Sequence, residues 1–172
     1  MSYSTRKNSS ATPSVVTPSS SDLVAFGLHD DPSDAVPWPD NTYNIIEEST
    51  GRVLDAYVHH LFGPRVRLLD PNLPRTPAAN WLCVEANGCF GLFNQHGNVY
   101  LSAYTREKGM PSTFGPDQYI VPRRHPKGGY QLLSPAGNIM KHFAFVSSDG
   151  TFVRRQHAGT IWRFVKSETG DY

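Results

Sequence analysis

GCFGLFNQHGNVYLSAY, residues 88–104, reads as a strand, a tight Gly-centred turn and a second strand, a β-hairpin with aromatics at both ends. Looser versions of it occur before and after. TYNIIEESTGRVLDA (42–56), CFGLFNQHGNVYLSA (89–103) and GYQLLSPAGNIMKHF (129–143) align with Tyr43, Phe90 and Tyr130 at the same place. A turn glycine follows in each, Gly51 eight residues on, Gly97 and Gly137 seven. Each unit then closes on another short run, WLCV ending at Val84, QYIV ending at Val121 and WRFV ending at Val165. An aromatic opening, alternating aliphatics and a small residue at φ > 0 are what a hairpin needs to lay one face on a core. One hairpin cannot bury that face alone. Three related units of roughly 40 residues around an axis can close a barrel and remove free strand edges. The expected fold is therefore all-β, a β-trefoil.

The rest of the chain fits around that unit. With 172 residues, 38% of them hydrophobic, and a net charge of +1, the chain supports one core and supplies no global field that demands nucleic acid or an anionic membrane. Residues 1–40 carry Arg6 and Lys7 against five aspartates, so an acidic segment precedes a mildly basic body. Residues 1–21 are rich in Ser, Thr and Pro with hardly any large apolar side chain, which predicts disorder. Residues 22–40 hold Leu23, Val24, Phe26, Leu28, Val36 and Trp38 among three prolines and five aspartates, which predicts an extended arm lying on the domain. The expected organisation is thus a disordered tail and acidic arm over 1–40 and a trefoil domain over 41–168. No apolar run is long enough to span a bilayer and no secretory h-region opens the chain. Cys83 and Cys89 are too few for a disulfide framework. If Asn87-Gly88 is a two-residue turn, Ala86 faces Cys89 and Cys83 faces Leu92, so the thiols are not cross-strand partners. Both are expected to be reduced, in a cytoplasmic protein.

FGLFNQHGNVYLSA is similar to the fascin-like branch of β-trefoils, in which a strand, a Tyr-Leu hairpin turn and a closing Trp-containing strand recur. RHPKGGYQLLSPAGN followed by GTIWRFVK resembles small intracellular fungal trefoils of that branch. The resemblance covers residues 41–166 and implies fold rather than activity. It also brings in actin as a partner, although a single trefoil binds without bundling unless it dimerises.

Candidate chemistry is sparse. His59 and His60 are adjacent, and neighbours on a strand point to opposite faces. No metal-ligand spacing and no nucleophile elbow appears, and Ser102, Ser134 and Ser147 sit in ordinary turn or strand-end contexts. No cofactor, metal or catalytic residue is expected. Trp81 and Trp162 occupy equivalent places in closing strands, which core packing explains better than sugar stacking. Alternation splits Arg123-Arg124 and Arg154-Arg155 between faces, so nucleic acid is not expected. From turn glycine to closing strand the first unit is longest, and its apparent insertion, residues 64–79, holds Arg65, Arg67 and Arg75 beside Pro64, Pro71, Pro74 and Pro77. These three arginines are the predicted ligand contacts, since unequal loops on a rigid scaffold carry recognition. The functional expectation is a non-catalytic, monomeric binding protein with a protein partner, actin included. A carbohydrate-binding lectin and a protease-inhibitory trefoil are the alternatives, and no membrane contact is expected.

Overall fold

In the computed structural model the described residues are 34–102, 110–136, 139–146 and 151–167. The tail over residues 1–33 and the turn glycine Gly137 lie outside them. Eleven strands are described: β1 (Thr42–Glu47), β2 (Val53–His59), β3 (Gly63–Leu69), β4 (Asn80–Ala86), β5 (Cys89–Asn94), β6 (Val99–Tyr100), β7 (Val121–Arg124), β8 (Tyr130–Ala136), β9 (Ile139–Val146), β10 (Thr151–Arg155) and β11 (Ile161–Lys166). All pairings are antiparallel, as short hairpin connections require.

Six strands close a ring. β1 pairs with β4, β4 with β5, β7 with β8, β8 with β11, and β11 with β1. The remaining junction, between β5 and β7, is made by the bridge Phe90–Ile120 at the mouth of β7. Outside the ring β2 pairs with β3, and β9 with β10, as hairpins. A ring of six strands from three related units, with two such hairpins beside it among the described residues, is the pattern of the β-trefoil.

The register explains the sequence repeat. Within the units Tyr43 stands opposite Trp81, Phe90 opposite Ile120 and Tyr130 opposite Trp162. Each unit thus brings its opening aromatic across from the apolar anchor of its closing strand. Trp81 and Trp162 are fully buried. Tyr43 and Tyr130 both meet Phe164 edge to face, with centroids 5.5 and 5.6 Å away, the arrangement that ring quadrupoles favour. The core reading of the two tryptophans therefore holds, and neither ring is available to stack on a ligand.

Turn chemistry follows in part. Asn87 (φ 55°) and Gly88 (φ 70°) form the two-residue turn of β4–β5, and Ala86 pairs with Cys89 and Cys83 with Leu92. Gly51 takes φ 71° as expected. Gly97 does not take a positive φ: Asn98 does, at 50°. The Asn94 side chain accepts a hydrogen bond from the Gly97 amide at 2.8 Å. A Cβ on Gly97 would come within 3.1 Å of Val99, so the glycine is there for space.

Two further expectations are corrected. Residues 64–79 are not an inserted loop, because Pro64–Leu69 belong to β3, with Val66 buried and every residue paired with β2. The prolines masked a strand that carries Pro64 near its start, where a ring is tolerated. Only the stretch from Asp70 to Thr76 is irregular, before a 3-10 turn at Pro77–Ala79. Val36 and Trp38 do not pack down on the domain; they are 60% and 64% exposed. Backbone bonds hold that segment instead: Ala35 donates to the Phe164 carbonyl (2.6 Å), Trp38 to the Tyr43 hydroxyl (2.9 Å), and Tyr43 to the Val36 carbonyl (2.9 Å). Asp34 adds an ion pair to Arg124 at 2.8 Å.

Candidate functional site

At the junction of β1, β4 and β11 the barrel carries a polar cleft of about 410 Å3, lined by Asn44, Arg75, Thr76, Asn80, Lys166 and Ser167 with Pro77. Its floor is set by strand register. Asn44 and Asn80 are direct cross-strand partners, and Lys166 stands opposite Tyr43, one residue before Asn44. Asn44 is buried, so its amide needs partners. It donates to the Ala79 carbonyl (3.1 Å) and to Asn80 Oδ1 (2.8 Å), and its oxygen accepts from Arg75 Nη1 (2.8 Å). Ser167 Oγ donates to Asn80 Oδ1 at 3.1 Å. The network uses one of the five guanidinium donors of Arg75 and fixes the group's position. No acidic side chain lines the cleft, and neither Arg75 nor Lys166 has an ion-pair partner among the described residues.

The connection that delivers Arg75 is braced from below. The Asn72 amide donates to Asp70 Oδ1 (2.8 Å), closing an Asx turn. Thr76 Oγ1 donates to Asp55 Oδ1 (3.1 Å), while Arg67 Nε binds Asp55 Oδ2 (2.8 Å). Asp55 is fully buried, and a buried carboxylate persists only with such partners.

The structure separates the three predicted arginines. Arg67 neutralises Asp55 and lies 5.1 Å over the Tyr57 ring. Arg65, two residues earlier on the same face of β3, lies 5.5 Å over Phe62. Arg75 alone lines the cleft. Asn44, Asn80, Lys166 and Ser167 were not singled out in the sequence, because residues this far apart in the chain meet only once the barrel closes. The adjacent His59 and His60 rings stack at 4.7 Å, since His60 lies in the turn beyond β2. Among the described residues no group of three or more metal-ligating side chains is assembled.

Threefold comparison shows what is special about this place. The registers that align Tyr43, Phe90 and Tyr130 put Gly91 and Gln131 at the position of Asn44, and Tyr119 and Ile161 at that of Asn80. Arg75 lies six residues before Trp81, and Phe114 six before Ile120. In the second unit the Phe114 ring occupies the space over Gly91, where an added Cβ would meet it at 2.1 Å. An aromatic ring thus fills in the second unit what the first leaves open and cationic.

The chain matches no protein-family model and no curated protein. Solved structures do resemble it. The GlcNAcα1-4Gal-releasing endo-β-galactosidase of Clostridium perfringens aligns with a TM-score of 0.61 at 16% identity, over 74% of this chain and 33% of that one. The Polyporus squamosus lectin, bound to a Neu5Ac-containing epitope, aligns with a TM-score of 0.60 at 14% identity, over 75% and 50%. The designed threefold-symmetric protein ThreeFoil aligns with a TM-score of 0.56 at 20% identity, over 72% and 97%. The chain therefore spans a third of the galactosidase, half of the lectin and nearly all of ThreeFoil. At these identities the likeness is one of fold, and the fold is a β-trefoil.

Proposed function

We propose that this chain is a non-catalytic carbohydrate-binding protein whose open cleft takes a saccharide bearing an anionic group, a carboxylate or a sulfate. The observation that carries the reading is the pairing of Arg75 and Lys166, without an ion-pair partner among the described residues, with amide and hydroxyl groups of Asn80, Thr76 and Ser167 in one cleft. Two cations without a carboxylate select an anion, and fixed polar groups around them suit the hydroxyls of a sugar ring. Lectins among the structural neighbours agree with a glycan ligand on this fold. The non-catalytic part rests on the carboxylates. Glycoside hydrolysis commonly uses two free ones flanking the bond. Among the described residues the cleft lining holds none. At the neighbouring surface Glu47 is held by Thr50 and Glu48 pairs with Arg163 at 2.6 Å.

A glycan array tests the reading. The wild-type chain is expected to retain acidic glycans over neutral ones, and Arg75→Ala with Lys166→Ala to lose that retention while staying folded, at a melting temperature lowered by the loss of the Arg75–Asn44 hydrogen bond. Retention of neutral glycans alone, or unchanged retention by the double variant, would contradict it. Actin, which the fascin-like motifs bring in, and a protease are the competing partners. Co-sedimentation with filaments or protease inhibition, combined with an empty array, would replace the sugar reading.

A further inference from the structure

The hairpin of β2 and β3 ends in a knob that neither the core nor the cleft uses. Among the large hydrophobic side chains of the described residues, Val58, Leu61 and Phe62 are 72%, 71% and 59% exposed, and all three sit at this one tip. The backbone of the tip is ordered: His59 pairs with Gly63, which takes φ 70°, and the Leu61 amide donates to His59 Nδ1 at 3.2 Å. The His59 ring packs on Phe62 with centroids 4.8 Å apart, so Phe62 is held outward rather than folded onto the barrel. Exposing two large apolar residues side by side costs solubility and stabilises nothing in the free chain.

The charges along the hairpin itself, from Ala56 to Leu69, have one sign. From Ala56 to Leu69 the sequence holds no acidic residue, and the flanking Asp55 is buried and neutralised by Arg67. Arg65 stands over Phe62 with no carboxylate partner among the described residues. Because Leu61 and Phe62 stand exposed at a hairpin turn, they can enter a deformable apolar medium without needing a preformed groove. An apolar wedge with a cation just behind it matches an acyl layer beneath anionic headgroups. We infer that the β2–β3 tip docks the protein on an anionic membrane surface, with Leu61 and Phe62 in the interface and Arg65 at headgroup level. This contact is independent of the cleft, and it differs from the expectation of no membrane contact, which rested on the low net charge and the lack of a spanning run.

Co-sedimentation of the full chain with phosphatidylcholine vesicles, with and without phosphatidylserine and free of glycolipid, reads this directly. Binding is expected only with phosphatidylserine present. Leu61→Ser with Phe62→Ser should weaken it more than tenfold, and Arg65→Ala by about fivefold, the share of one cation near an anionic surface. Circular dichroism and melting should match wild type in both variants, since Leu61 and Phe62 are exposed and Arg65 lies over Phe62. Arg75→Ala with Lys166→Ala should leave vesicle binding unchanged, so failure of either site is seen separately. Wild-type protein that stays in the supernatant overturns the inference. Concentration-dependent self-association abolished by the tip variant would likewise overturn it, assigning the knob to a second copy of the chain, and equal binding by the tip variant would overturn it too.

Discussion

At the scale of residues, Trp162 carries the clearest consequence. It is fully buried opposite Tyr130, and truncating a buried Trp costs about 3–5 kcal/mol, a large part of the roughly 5–15 kcal/mol that holds a domain. Trp162→Ala should melt far below wild type whatever the ligand; an unchanged melt with lost sugar binding would return the ring to a binding role. Cys83 is buried opposite Leu92, and burial, with Glu85 and Asp40 adding negative charge, pushes its thiol up to about 12. It therefore stays protonated at neutral pH, and a maleimide should modify it only after denaturation; native labelling at the rate of an exposed thiol would contradict this. His142 moves the other way. Burial, reinforced by Arg123 and His157, holds its imidazole below the ordinary value. The unfolded chain takes up that proton first, so the contribution of His142 is complete above about pH 6.5 and lost on acidification. His142→Gln should lose less melting temperature than wild type between pH 7 and pH 5, and equal losses would remove His142 from the account. Residue roles were legible where symmetry repeats them, as for Tyr43, Phe90 and Tyr130. Asn44 and Asn80 were not, since a polar pair meeting across a barrel leaves no local spacing.

At the scale of elements, the hairpin at 80–94 was readable because Asn87-Gly88 and the alternating side chains are local signals. β3 was missed because Pro64 and two arginines resemble a loop until β2 supplies their partner. The difference has a practical outcome. Replacing residues 64–79 with a flexible linker would delete a strand holding buried Val66 and should unfold the chain, whereas a change confined to 71–73, which are exposed, should leave the melt within a few degrees. Equal behaviour of the two replacements would contradict the strand assignment. β5 carries a second such dependence. A methyl group on Gly91 would overlap the Phe114 ring, so Gly91→Ala should cost about 1–3 kcal/mol by overpacking. Pairing it with Phe114→Ala should recover part of the loss in a melting experiment, and no recovery would point to a backbone cause.

At the scale of the whole molecule, threefold repetition builds the barrel and departures from it build the surface. The repeat was legible because each unit must present the same anchor to a shared core. The cleft was not, because it arises where one unit, alone of the first two, lacks a ring to fill the space. The central claim is that this opening in the first unit is the ligand site. Its most direct test is an amide and side-chain NMR titration of the full chain with an acidic oligosaccharide that the array retains. The account predicts shifts concentrated at Asn44, Thr76, Asn80 and Ser167 and at the Arg75 Nε–H, with Phe114 and Tyr119 in the second unit unmoved. Shifts centred on the second unit or on the hairpin tip, with the Asn44 and Asn80 side-chain amides unchanged, would contradict it.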